Sequence, residues 1–134
     1  MTSFGLLLEL SGLSQGEVAA FLKSSPIDVG CWSRGDHIAP DDALERLRDL
    51  IADQAQAADE ALDIIEQHRP DQIELGYPLN DDEARSIGWP CLAAWKAMAA
   101  RFLAECPAPV ILVPHGSTPA TTAAAAVRQL GEEA

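Results

Sequence analysis

A mainly helical protein with a small α+β part in its C-terminal half is the fold class this sequence predicts. Three observations predict it. Apolar residues recur at three- and four-residue spacing through most of the first 68 residues. Serine, proline and glycine punctuation divides the first forty residues into three short helical stretches. Only two segments, 72–79 and 110–113, have strand character.

The elements follow in order. Residues 4–11 form a short helix whose apolar face is Phe4, Leu6, Leu7, Leu8 and Leu10, with Gly12 able to take the left-handed C-cap position. Ser14 opens a second helix. Glu17, three residues on, completes a capping box, and Val18, Ala19, Phe21 and Leu22 supply the apolar face. Lys23-Ser24-Ser25 is a polar break, and Ser25-Pro26 is the N-cap and first-turn pair that starts a third helix. Val29 and Trp32 lie on its inner face, and Gly35 ends it. After a loop over 36–40, Asp41 or Asp42 caps one long helix over 42–68, free of glycine and proline. Its apolar positions are Leu44, Leu47, Ile51, Ala55, Ala58, Leu62 and Ile65. That stripe reads equally as a helix packed on its own domain or as a seam against a second copy, since its period is near 3.5.

The second half changes character at Pro70. Ile73, Leu75, Tyr77 and Leu79 alternate on one face of a strand, and Pro78 makes it an edge strand. Residues 80–87 are a short acidic helix start. Gly88-Trp89 is a break, and Pro90 is placed to begin a helix with the stripe Leu92, Trp95, Ala99, Phe102 and Leu103. Pro107 and Pro109 end that helix, and Val110–Val113 is a short buried-strand candidate. Residues 117–134, rich in alanine and threonine, read as a flexible tail.

Composition bounds the function. The 134 residues make one ordinary domain or two very small ones, 48% apolar but with only seven aromatics to fill a core. Nine basic residues against 21 acidic give a net charge of −12. This excludes a charge-driven nucleic-acid or membrane coat, so any DNA binding must rest on local geometry. No apolar run approaches a membrane span. The N-terminal stretch lacks a basic region and carries Glu9, unlike a signal peptide. Cys31, Cys91 and Cys106 are odd in number and widely spaced, which argues for a reducing, cytoplasmic setting and against a disulfide framework or zinc site.

The stretch with chemical content is the second and third helices with their three-residue turn. Their crossing needs a small side chain, supplied by Ala19, with Val18 and Leu22 facing Val29 and Trp32 and Gly35 releasing the chain. Ser14 to Leu22, then Ser25, Val29, Trp32, Arg34-Gly35 and Pro40, resemble the lambda-repressor/Cro-like (xenobiotic response element type) helix-turn-helix family over about residues 3–51. The exit after Trp32 and the stretch LGYPLNDDEARSIGWP also resemble small bacterial or phage-type regulators that add a short C-terminal domain. The resemblance implies a helix-turn-helix domain with its long helix over 1–69, an α+β dimerisation segment over 70–116 and the tail 117–134. It implies a third helix in the major groove and a second-helix N-terminus at phosphate. The residues implied at DNA are Ser14, Gln15, Lys23, Ser24, Ser25, Ile27, Asp28, Cys31, Arg34 and His37. Ser14 and Gln15 would meet phosphate, with Lys23, Arg34 and His37 as neighbouring contacts. Ser25, Ile27, Asp28 and Cys31 would occupy the reading face.

The sequence departs from the family at the turn, where Lys23 replaces the usual glycine, and in the reading helix, which offers Pro26, Ile27, Asp28, Gly30 and Cys31. Bidentate arginine–guanine and glutamine–adenine contacts are not available from these residues. Residues 1–51 carry four basic against eight acidic residues, a net of −4.

Other constellations are bland. His37, His68 and His115 have no metal-ligand spacing. Asp41-Asp42 and Asn80–Glu83 suit helix N-termini, and Pro114–Thr118 lacks the lysine of a phosphate loop. No nucleophile–base pairing emerges, so no enzyme, cofactor or metal is expected. The expectation is a dimeric transcriptional repressor on a palindromic operator. The alternative is a protein-interaction module, antitoxin-like or accessory, that uses the same fold with a protein partner.

Overall fold

The computed structural model describes residues 1–114. It is mainly helical, in the order α1 (Ser3–Ser11), α2 (Gln15–Leu22), α3 (Pro26–Arg34), α4 (Asp41–His68), β1 (Ile73–Tyr77), α5 (Asp81–Ser86), α6 (Leu92–Glu105) and β2 (Val110–Pro114). The tail expected over 117–134 and His115 lie outside the described residues. No described helix is long and apolar enough to cross a membrane. The chain divides into two compact units, Met1–Ala52 and the part from Asp53 onward, so the division runs through α4.

In the first unit three short helices and the start of α4 surround a core of Phe4, Leu13, Val18, Ala19, Val29 and Leu47. Thr2 ties the ends of α1 and α3. Its hydroxyl accepts from Gly5 N–H (3.0 Å) as the α1 N-cap and donates toward the carbonyls of Ser33 (2.8 Å) and Trp32 (3.1 Å). Gly12 takes the left-handed C-cap, as its position predicts. The α1 leucines point several ways, however: Phe4 is buried, while Leu6 and Leu10 are exposed. Trp32 also differs from expectation. It is half-buried and meets Phe4 edge-on, with ring centroids 5.5 Å apart, instead of sealing the crossing of α2 and α3. An indole is too large for that crossing, which Ala19 and Val29 fill.

α4 begins with Asp41 and Asp42 in its first turn, where carboxylates favour the positive end of the helix dipole. Its buried stripe is Ala43, Leu47, Leu50, Gln54, Ala57, Ala58, Ala61 and Ile65. The expected stripe is therefore rotated. Leu47, Ala58 and Ile65 are buried, but Leu44, Ile51, Ala55 and Leu62 are only half-buried. Alanines and a glutamine share the inner positions with Leu47, Leu50 and Ile65. In the second unit Gln54 donates from Nε2 to the Ala94 carbonyl of α6 at 3.2 Å.

The second unit packs α6 through Ala94, Trp95, Met98, Ala99 and Phe102. Leu92 is only half-buried and Leu103 exposed, so the observed face is offset from the expected one. α6 starts at Leu92, later than Pro90 suggests. Asp81 Oδ1 accepts from the Leu92 amide (2.8 Å), satisfying a first-turn donor that Cys91 leaves without a side-chain cap. Trp89, in the expected break, is fully buried. β1 and β2 pair in parallel, Ile73 opposite Val110 through Tyr77 opposite Pro114, with Ile73 N–H donating to the Pro109 carbonyl at 3.0 Å. Parallel pairing needs a crossover, which α5 and α6 provide. β1 stops before Pro78, which cannot donate to a ladder.

Candidate nucleic-acid interface

The expected site lies wholly in the first unit, on α2, its turn and α3. Ser14 is the N-cap of α2. Its hydroxyl accepts from Glu17 N–H (3.1 Å), and Glu17 Oε1 accepts from Ser14 N–H (2.9 Å), the reciprocal box its spacing predicts. Three residues separate Leu22 from Pro26. Lys23 takes the left-handed conformation, φ 56° and ψ 43°, and Ser24 N–H returns to the Ala19 carbonyl at 2.9 Å. A non-glycine residue there is strained, yet the turn is closed as tightly as a glycine would close it. Lys23 is exposed, while Ser24 is half-buried and holds the turn through its backbone.

Ser25 then caps α3, accepting from Asp28 N–H at 3.1 Å. Ser25, Pro26, Ile27 and Asp28 are all exposed on the first turn, and Ile27 is 76% exposed. Val29 and Gly30 face inward. The glycine has a physical reason. Gln15 lies across α3 with Nε2 donating to the Pro26 carbonyl at 2.6 Å, and a Cβ on residue 30 would come within 2.7 Å of that nitrogen. Gln15 is therefore a clasp between the two helices as well as an exposed polar group at the start of α2. Sequence reasoning missed this role; the cue was the unexplained Gly30 within α3.

Farther along, Cys31 is half-buried, not on the open face, and Arg34 Nη2 sits 3.7 Å from its sulfur. Arg34 is exposed and pairs with Asp36, Nε to Oδ2 at 3.1 Å. Gly35 is left-handed at φ 90° and ends α3, with its N–H on the Cys31 carbonyl. His37 is exposed in the following loop, at the mouth of a small cavity beside Phe4, Trp32 and Leu44. Arg46 is engaged elsewhere, donating to the Phe21 carbonyl at 2.9 Å with its guanidinium 4.9 Å from the Phe21 ring centre.

The structure thus brings Ser14, Gln15, Lys23, Ser25, Ile27 and Asp28 around one helix–turn–helix and leaves them exposed. It half-buries Ser24 and Cys31, and it ties Arg34 to an acid. The arrangement presents two helix N-termini, one unpaired lysine and a short apolar–acidic tip. Among the described residues, no group of three or more His, Cys, Asp or Glu is placed to hold a metal ion. No protein-family model matches the chain, and no curated protein matches it significantly.

Proposed function

We propose that this chain is a sequence-specific DNA-binding transcriptional regulator, acting as a dimeric repressor, with α3 as its reading helix. One observation carries the reading: the three-residue turn, closed by a left-handed Lys23, that holds α3 with Ser25, Pro26, Ile27 and Asp28 exposed at its start. This is the geometry a helix needs to enter a major groove while the helix before it crosses the backbone. The resemblance to the lambda-repressor/Cro-like family supports the same assignment.

The roles then divide by chemistry. The Ser14 hydroxyl accepts its capping bond and keeps a proton to donate to phosphate, at a helix end where an anion is favoured. Lys23 contributes a cation to the backbone. Ile27 suits a thymine methyl, and Asp28 accepts from cytosine N4 and repels wrong placements. Specificity here rests on apolar contact and exclusion, since no arginine or glutamine reaches out from the first turn of α3.

The same tip favours a second reading. A 76% exposed isoleucine beside an unpaired carboxylate is chemistry that a protein surface also accepts, so the alternative is a module whose α3 docks on a protein partner. Binding to a randomised half-site library by the parent, Lys23→Ala and Asp28→Ala separates them. DNA reading predicts a selected sequence for the parent. It predicts a uniform loss of affinity for Lys23→Ala and a relaxed preference for Asp28→Ala. No selected sequence with the parent would overturn it in favour of the protein-docking alternative.

A further inference from the structure

We propose that β2 is the seam between two copies of this chain. The strands pair antiparallel about a two-fold axis at Ile111 and join two two-stranded sheets into one four-stranded sheet, ordered β1-β2-β2-β1. The pairing rests on the strand itself; only its use in presenting two reading helices rests on the DNA-binding reading above.

Among the described residues the sheet has two strands in each copy. A parallel pair is ordinarily covered on both faces, and two strands alone are marginal. Here Ile73 and Leu75 of β1 are buried, but their register partners' strand is not: Ile111 is 46% and Leu112 48% exposed. Leu112 lies opposite Leu75 and so on the same face as that buried leucine, yet the core stops short of it.

Among the described residues no strand lies beside the outer edge of β2, and that edge is self-complementary. With Ile73 N–H on the Pro109 carbonyl and Ile73 opposite Val110, the parallel ladder uses the polar groups of alternate β2 residues, 109, 111 and 113. The N–H and C=O groups of Val110 and Leu112 therefore point to the outer edge. A second copy running antiparallel places Val110 opposite the other Leu112, and each such pair exchanges two hydrogen bonds. All four outward groups of each strand are then used. Pro114 has no N–H to extend the ladder, so a longer partner strand gains nothing at that end.

Charge selects the occupant. Two copies each carrying −12 repel over most of their surface. No Asp, Glu, Lys or Arg stands between Glu105 and Arg128, the longest uncharged stretch of the chain, and β2 lies inside it. Val110–Val113 carries no lysine, acid or bulge, and Pro109 and Pro114 bound it, so a second strand finds its pairing positions between the two prolines.

The register makes a sharp test on the full-length chain. In sedimentation at micromolar concentration the parent should run at twice the chain mass. Leu112→Pro removes an outward N–H without touching the bonds to β1, and should run at half the parent mass with its far-ultraviolet dichroism retained. Independently, in a Cys31→Ser, Cys106→Ser background, Ile111→Cys should give a covalent dimer on mild oxidation. At the two-fold axis that residue faces its own copy at about 4.5–5.5 Å between Cβ atoms. Val110→Cys and Leu112→Cys should not, because each faces the other position and its own copy is a diagonal neighbour. A monomeric parent overturns the proposal. So does a dimeric parent in which Ile111→Cys fails to cross-link, whether or not Leu112→Pro folds. A cross-linked Ile111→Cys dimer that selects no DNA sequence upholds the seam and overturns only the DNA-binding reading.

Discussion

Lys23 is held left-handed where glycine would be unstrained, at a cost of about 1 kcal/mol. Lys23→Gly should therefore raise the melting temperature by a few degrees, because it relieves the backbone, and on the DNA-binding reading it should weaken DNA binding, because it removes the exposed cation. Opposite shifts in a thermal melt and a binding titration would establish that strain and contact meet in one residue. Ala19 is fully buried in the first unit's core. Ala19→Glu has no partner there and should cost several kcal/mol, read as a large drop in the melt. Arg34 is held by Asp36. On the DNA-binding reading, Asp36→Ala frees a guanidinium and removes a negative charge near the interface, so affinity for all sequences should rise in a mobility-shift titration. The exposed ion pair itself contributes little to stability, so the melt should barely move.

At the level of helices, two glycines that look alike in the sequence do different work. Gly5 of α1 faces the backbone: a Cβ there would stand 3.0 Å from the Ser33 carbonyl oxygen. Gly30 of α3 faces the tip of the Gln15 side chain, which can swing away. Both changes to alanine add helix propensity worth up to about 1 kcal/mol. Gly5→Ala should nevertheless lower the melting temperature, because a backbone cannot yield. Gly30→Ala should leave it within about 1 kcal/mol of the parent, losing one Gln15 hydrogen bond as it gains propensity. A Gly30→Ala variant that melts as early as Gly5→Ala would show that the Gln15 clasp is structural. The long helix teaches a related lesson. The expected stripe runs through Leu44, Leu47, Ile51, Ala55, Ala58, Leu62 and Ile65, but the buried one runs through Ala43, Leu47, Leu50, Gln54, Ala57, Ala58, Ala61 and Ile65. Leu47, Ala58 and Ile65 belong to both stripes, so the buried face is a rotation of the expected one, which hydrophobicity alone does not fix.

On the DNA-binding reading, the net charge of −12 over the whole chain sets the binding regime. Counterion release grows with the number of phosphates neutralised, and beside α3 Lys23 is exposed while Arg34 is already held by Asp36. The salt dependence of specific binding should be shallow; Lys23→Ala should flatten the logarithmic slope by about one unit, and Arg34→Ala, which removes a cation already paired with Asp36, by less. Measuring affinity across a salt series for the parent, Lys23→Ala and Arg34→Ala checks this. A steep slope in the parent would place additional cations at the interface. If two copies read one palindrome, the half-sites should lie one helical turn apart, about 34–36 Å, or a multiple of it. Footprinting of the selected sequence measures that spacing directly.

The helix boundaries in the first forty residues, the capping box at Ser14, the caps at Ser25 and Gly35 and the two strand segments were legible in the amino-acid order. Each depends on neighbours within four positions along the chain. So was the turn at Lys23, whose place is set by the helices on either side. Several features were decided only when distant segments met: the parallel pairing of β1 and β2, the burial of Trp89 and Gln54, the edge-on stacking of Trp32 on Phe4, and the seating of Gln15 over Gly30. The same holds for the candidate site. Its residues could be named from their order, but the commitment of Arg34 to Asp36 and of Gln15 to the Pro26 carbonyl could not. Local capping follows from short-range hydrogen bonding, whereas these contacts depend on which surfaces the folded chain brings within a few ångströms of each other.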